Sequence, residues 1–185
     1  MIDNSKENES PNKESGMNFS CLNQDNCIYI EKSDLVKKMD QKVHIVEYIY
    51  KENNDLIFIE AKTSSPKQLQ IPIEIKKLDK TETVIYPSPY IREICEKLTS
   101  SLNLFVSANL KIQDDKEKEI VNFIDFSNIQ LYHFKFYLVI KNSEKKWLLD
   151  VQLALEKFLR EQMKIWKIEV KVINEEIAKQ YKLIS

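Results

Sequence analysis

Glycine is nearly absent from this chain: Gly16 is the only one among 185 residues. Phosphate-binding loops and dinucleotide fingerprints need several glycines, because their tight turns must bring the backbone close to a phosphate. The sequence therefore excludes the usual loops that bind ATP, GTP or NAD, and we expect no nucleotide cofactor.

Cysteine is scarce as well, and apolar runs are short. The three cysteines, at irregular spacing, favour reduced thiols over a disulfide framework. No apolar run approaches the length of a membrane span, and the acidic, Asn-rich start lacks the basic and apolar regions of a signal peptide. We therefore expect a cytoplasmic protein with no membrane partner.

Acidic and basic residues are nearly balanced in number, with 29 Asp and Glu against 28 Lys and Arg. The formal net charge is -1, so a globally basic nucleic-acid-binding protein is not indicated. A hydrophobic content of 43% in a chain of this length suits one domain with a buried core. Residues 1–16 are polar and predict a flexible tail, which leaves residues 17–185 as a single α/β domain.

The pattern of apolar residues predicts two strands, then helix, strand, helix, strand, helix. The strands are a hairpin over residues 43–62, a long strand over 130–141 and a last strand over 166–173. Three helices are predicted. The first is capped by Ser88 and has Pro89 at its first position, and the other two cover 144–164 and 175–181. The connections are long enough for parallel pairing, so we predict a mixed β-sheet with helices packed on it.

The hairpin places three charged residues together. Asn53 and Asn54 tolerate the positive φ that a two-residue turn needs, and a turn there puts Glu47 directly opposite Glu60. Side chains opposed in this way have Cβ atoms about 4.5–5.5 Å apart, and Lys62 follows Glu60 on the same face. Two carboxylates this close repel each other unless a cation lies between them.

The position of Glu60 distinguishes its acid-x-Lys triplet from others in the chain. The segment 56–59 is apolar on both faces, which is typical of a strand covered on both sides, and Glu60 and Lys62 continue one of these faces. Charges there are costly unless they are paired or bind a metal. At Glu74 and Glu169, by contrast, the same triplet lies in alternating strands whose charges face water.

A hairpin ending in Glu60-Ala61-Lys62, an acidic residue on the preceding strand, and then helix, strand and helix resemble the core of the PD-(D/E)xK superfamily, the restriction-endonuclease-like fold. The resemblance implies a nuclease that hydrolyses phosphodiester bonds of DNA or RNA, in a bacterial accessory role such as antiphage defence. It implies that Glu47 and Glu60 hold Mg²⁺ or Mn²⁺. Lys62 would then activate water or stabilise negative charge on the phosphate.

One position departs from the family pattern. The upstream acid is usually an Asp near the start of the strand, whereas this chain has His44 there and Asp40 slightly earlier. Either Glu47 replaces the Asp, or His44 is an unusual ligand, or the site is inactive. The last reading predicts a non-catalytic subunit that binds a protein or nucleic-acid partner. The small size of the chain also favours a protein partner or a homodimer.

Overall fold

The structure, a computed structural model, describes residues 13–19, 22, 25–39, 43–77, 80–113 and 119–185. Its strands are β1 (Lys13–Glu14), β2 (Met17–Asn18), β3 (Cys27–Ile28), β4 (Tyr48–Glu52), β5 (Asp55–Ser64), β6 (Gln70–Lys77), β7 (Lys80–Pro87), β8 (His133–Asn142) and β9 (Glu169–Asn174). Its helices are α1 (Asp34–Lys37), α2 (Pro89–Asn109), α3 (Lys145–Phe158), α4 (Arg160–Trp166) and α5 (Glu175–Gln180). Short 3-10 helices cover Ile30–Lys32 and Phe126–Leu131.

The main sheet has five strands in the order β3-β4-β5-β8-β9 among the residues described. β3, β4 and β5 pair antiparallel, and β5, β8 and β9 pair parallel. The prediction of a single α/β domain with a mixed sheet and flanking helices is confirmed. Parallel pairing follows from α2 and α3, which carry the chain back between strands.

The predicted register of the hairpin is also confirmed. Tyr48 pairs with Ile59 and Glu52 pairs with Asp55, so the turn lies at Asn53 and Asn54. Asn53 adopts a φ of 53°, the left-handed conformation that Asn tolerates. Because the turn fixes the register, it also fixes which residues follow at the far end of β4 and β5.

Apolar side chains cover both faces of the central strands. On one face Phe58 and Phe136 pack with Leu98 and Phe105 of α2 in the larger core. On the other face Ile59 belongs to a second core formed with the N-terminal and C-terminal segments of the chain. Burial on both sides explains why residues 56–59 carry no polar position.

Several element boundaries differ from the prediction, and the first strand of the hairpin begins at Tyr48 instead of at residue 43. The helix predicted over 144–164 is divided at Leu159, which is buried and leaves the helical conformation at φ -94° and ψ 7°. The last strand begins at Glu169 because Lys167 ends α4 in the left-handed conformation, with φ 53°. The long strand begins at His133, since the residues before it form a 3-10 helix.

β1 and β2 form an N-terminal hairpin, and its first strand and turn belong to the predicted tail, residues 1–16. Residues 13–16 form β1 and its turn, and Met17 is buried; residues 1–12 lie outside the described part of the chain.

β6 and β7 form a separate two-stranded sheet. Among the residues that the structure describes, no helix combines the length and the apolar character needed to cross a membrane.

Candidate functional site

The site lies beside the first residue of β4, where β5 continues past the β4–β5 ladder. Among the residues that the structure describes, the pairing of these two strands stops at Tyr48 and Ile59, and the backbone N–H of Ala61 donates to Glu47 Oε2 at 2.8 Å. The hydroxyl of Ser15 donates to the carbonyl of Ala61 at 3.0 Å. Two side chains therefore replace the missing strand at the residue between Glu60 and Lys62.

Glu47, Glu60 and Lys62 lie together, as the hairpin register predicts, and a second lysine lies among them. Lys97 Nζ is 2.8 Å from Glu60 Oε1, 3.1 Å from Glu60 Oε2 and 3.5 Å from Glu47 Oε1. Lys62 Nζ lies 3.1 Å from Glu60 Oε1 and 2.7 Å from Glu93 Oε1. The two carboxylates are thus separated by a cation that belongs to the protein.

The site is closed at its base and open at its rim. The side chain of Glu60 is 0% exposed and that of Lys97 is 11% exposed, whereas Glu93 is 41% exposed. Ammonium groups lie against both oxygens of Glu60: Oε1 is close to Lys97 and Lys62, and Oε2 accepts a hydrogen bond from Lys97. The buried carboxylate is therefore paired with cations that the protein itself supplies.

Lys97 is a site residue that sequence reasoning missed. It lies on α2, whose apolar stripe includes Ile94, Leu98 and Phe105. Lys97 and Ser101 extend this stripe at helical spacing, and the hydroxyl of Ser101 donates to the Lys97 carbonyl at 2.8 Å and accepts from the backbone N–H of Val46 at 2.9 Å. A lysine inside a buried stripe was the signal that could have identified it.

Two further acids reach the site from the N-terminal part of the chain. Glu31 Oε1 lies 3.9 Å from Lys97 Nζ. One carboxylate oxygen each from Glu14, Glu31 and Glu47 lies within 4.8 Å of the other two, and Glu14 Oε1 also contacts Lys32 Nζ at 3.3 Å. This donor set consists of oxygens alone, which is the preference of hard cations such as Mg²⁺ and Mn²⁺.

The pKa values of the inner groups follow from burial and charge. Burial, and then the charge of Glu60, raises the pKa of Glu47 well above its ordinary value. Burial also raises the pKa of Glu31. Burial opposes the charged form of Lys97, but the carboxylates of Glu47 and Glu60 outweigh it and raise the pKa of that ammonium. Lys97 is therefore held as a cation, whereas Glu47 takes up a proton more readily than an ordinary Glu.

The other predicted site residues lie apart from this group or outside the described residues. The imidazole of His44 is 48% exposed, and its Nδ1 lies 3.3 Å from Glu96 Oε2. Asp40 lies outside the described residues. His44 is thus paired with Glu96 at the surface, and Glu47 is the acid that the hairpin brings to Glu60.

Comparisons with known proteins do not assign this chain to a family. No family model, curated protein or solved structure matches this chain.

Proposed function

We propose that this protein is a metal-dependent phosphodiesterase with a restriction-endonuclease-like core that acts on DNA or RNA. The observation that carries the proposal is the convergence of Glu47 and Glu60 with the ammonium of Lys62 at one end of the sheet. The resemblance further suggests that the protein acts in the cytoplasm of a bacterium, in defence against foreign DNA.

The residues present suit a divalent cation. Glu60 is fully buried, with its carboxylate against two ammonium groups, and Glu47 and Glu31 add carboxylate oxygens close by. Glu47 and Glu60 would hold Mg²⁺ or Mn²⁺, with Glu31 beside them. When bound, the ion supplies an activated water and positive charge for phosphate oxygens. The ammonium of Lys97 now lies between the two inner carboxylates, so it must withdraw for the ion to enter.

Lys62 is the group best placed to meet a substrate. Its side chain is 21% exposed, whereas the carboxylate of Glu60 beside it is fully buried. The contacts with Glu93 and Glu60 keep its ammonium charged and raise its pKa, against the effect of burial. A fixed positive charge at the rim would stabilise the negative charge that develops on a phosphate during hydrolysis.

A second candidate function rests on Lys97. An ammonium 2.8 Å from Glu60 and 3.5 Å from Glu47 neutralises the carboxylates without any metal. A domain with such a permanent cation would be a non-catalytic subunit that binds a protein or nucleic-acid partner, or a second copy of itself.

Calorimetric titration of MnCl₂ and MgCl₂ into the wild type, Glu60→Ala and Lys97→Met separates the two candidates. The phosphodiesterase proposal expects the wild type to bind Mn²⁺ and Glu60→Ala to lose that binding. Binding that appears only in Lys97→Met supports the non-catalytic subunit. Glu161→Gln, which removes an exposed acid of α4, is the matched control and should bind as the wild type does.

Activity is then measured on single-stranded and double-stranded DNA and RNA, with and without a chelator. We expect cleavage by the wild type that the chelator abolishes. Lys62→Met should retain Mn²⁺ binding yet lose cleavage, because it removes charge at the rim and leaves the carboxylates in place. Cleavage that survives in Glu60→Ala would reject the assigned site.

A further inference from the structure

An open cleft of about 750 Å³, the α3–α4 cleft, is lined by side chains from residues 153–168. The two helices meet at Leu159, which is buried and leaves the helical conformation at φ -94° and ψ 7°. α4 ends at Lys167, whose φ of 53° lets the backbone N–H of Ile168 reach the carbonyl of Met163 at 3.2 Å. The turn at Leu159 and the cap at Lys167 therefore fix how α4 lies beside the cleft.

Basic side chains dominate the lining of this cleft. Four of them are exposed and come from the last turn of α3, from α4 and from its cap: Lys157, Arg160, Lys164 and Lys167. Among the lining residues that the structure describes, Glu156 is the only acid, so four positive charges stand against one negative. The whole chain carries a formal net charge of -1, and this overall balance conceals a local excess of positive charge.

The protein does not neutralise these four basic groups. Among the residues that the structure describes, none of the four forms an ion pair with an acid. Lys157 Nζ donates to the side-chain oxygen of Gln70 at 3.2 Å and lies over the ring of Phe158, and both contacts are neutral. The carboxylate of Glu156 accepts from the side-chain amide of Gln152 at 2.8 Å.

The opposite end of α3 shows lysines that are compensated. Lys145 Nζ lies 3.1 Å from an oxygen of Glu176, and Lys146 Nζ lies 2.7 Å from an oxygen of Glu144. In the α3–α4 cleft, by contrast, two of the uncompensated groups are four residues apart on one face of α4, where like charges repel each other. A cleft lined by charges of one sign concentrates its field and attracts ligands of the opposite charge.

The chemistry and shape of the cleft favour the phosphate backbone of a nucleic acid. A guanidinium such as that of Arg160 binds phosphate through paired hydrogen bonds, and ammonium groups bind it as point charges. The deeper lining includes Met163, which is half-buried, and Ile168, which is buried. A strand with a phosphate about every 3.4 Å along the helix axis can follow such a cleft, whereas a flat anionic membrane would meet only its rim.

The cleft also lies within reach of the candidate site along a single substrate. Lys157 contacts Gln70, and the extended chain from Lys62 to Gln70 spans at most about 28 Å. About eight base pairs of duplex cover that distance. A short duplex held in the cleft is therefore long enough to reach the lysine at the rim of the candidate site.

We propose that the α3–α4 cleft binds the phosphate backbone of DNA or RNA through its four basic side chains. The inference rests on the proposed function for the class of substrate, and it names a surface for that substrate away from the carboxylates. Binding at the cleft requires neither a metal nor cleavage.

Fluorescence anisotropy tests the proposal with the full chain in EDTA, so that divalent cations play no part. The probes are a labelled DNA duplex and a labelled single-stranded RNA, each about 20 nucleotides long, enough to span both sites. We expect Arg160→Gln/Lys164→Gln to bind at least about tenfold more weakly than the wild type. The slope of log K against log[NaCl] should become shallower by about two for the duplex, because two phosphate contacts are lost.

Lys145→Gln/Lys146→Gln is the matched control, because it removes the same charge from exposed positions outside the cleft. It should bind both probes as the wild type does. Equal weakening in the two double variants would reject the cleft, since overall charge would then explain the loss. A wild type that binds neither probe, or that binds only vesicles containing phosphatidylserine, also overturns the proposal.

The outcomes separate this inference from the proposed function. If Arg160→Gln/Lys164→Gln weakens binding as expected but the wild type cleaves no nucleic acid with Mn²⁺, the cleft stands and the proposed function fails. If the wild type cleaves and this variant binds and cleaves equally well, the proposed function stands and the cleft is rejected. Circular dichroism melts verify that each variant is folded.

Discussion

Lys97 Nζ lies 2.8 Å from Glu60 Oε1, with the two side chains 11% and 0% exposed. The lysine comes from α2 and the glutamate from β5, so this ion pair connects a helix to the central strand. Removing one partner of a buried pair leaves an uncompensated charge. The pair is therefore a structural contact, and under the proposed function its ammonium must withdraw before a metal can bind.

Lys97→Met should destabilise the protein by about 3 kcal/mol, the size typical of breaking a buried ion pair. The reason is that Glu60 loses its closest cation while staying buried. Urea denaturation followed by circular dichroism measures the change. Added MnCl₂ should restore much of the stability if the carboxylates accept the ion, because a ligand that binds the folded state stabilises it.

Arg92→Met is the control for this variant, since Arg92 lies on the same helix and is exposed. It should change the free energy of unfolding by no more than about 0.5 kcal/mol. A Lys97→Met protein as stable as the wild type without metal would show that the pair contributes nothing to the fold.

Glu47→Gln should unfold at the same or a higher temperature than the wild type at pH 8, with a gain of up to about 1 kcal/mol. The amide oxygen can still accept the hydrogen bond from Ala61, which is 2.8 Å in the wild type, and the charge that burial and Glu60 disfavour is gone. Mn²⁺ binding should be lost in the same variant. Paired melting and titration curves measure both effects.

The advantage of Glu47→Gln should shrink as the pH falls. The pKa of Glu47 is raised above its ordinary value of 4.5 in the folded state, so the folded wild type binds a proton before the unfolded chain does. Stability of the wild type relative to the variant therefore rises as the pH falls from the raised pKa toward 4.5. An advantage that grows on acidification would contradict the raised pKa.

The sequence predicts the centre of the site because its geometry is local. A two-residue turn at Asn53 and Asn54 fixes the register of the hairpin, and the register brings Glu47 to the triplet at Glu60. Apolar residues on both faces of β5 then indicate that these charges are buried. Each step needs only the alternation of a strand and the chemistry of a turn.

The rest of the site depends on packing between distant segments. Lys97 comes from α2, Glu31 from a 3-10 helix and Glu14 from β1, and no local pattern relates these positions to Glu60. Only Lys97 leaves a signal, as a lysine in the buried stripe of its helix. The polar composition of residues 1–16 predicts a tail. It gives no indication of the hydrogen bonds of Ser15 and Gly16 that attach this segment to the sheet.

Ser88→Ala should cost about 1 kcal/mol of stability, because the Ser88 hydroxyl caps α2 by accepting the backbone N–H of Ile91 at 3.3 Å. The first turns of this helix carry Glu93 and Lys97 to the site, so loosening them should also weaken Mn²⁺ binding. Ser88→Thr keeps a capping hydroxyl and is the matched control. Equal losses in both variants would show that the cap is not the cause.

Cys27 and Cys95 should resist alkylation in the folded protein at pH 8. Burial raises the pKa of each thiol to about 12, so the reactive thiolate is scarce at that pH. Treatment with N-ethylmaleimide followed by peptide mass spectrometry resolves the two sites, and the same reaction in denaturing urea is the control in which both should react fully. Rapid modification of either thiol without urea would mean that its segment opens readily. For Cys27 that result would also weaken the site, because β3 pairs with Ile49 and Tyr50 of β4, close to Glu47.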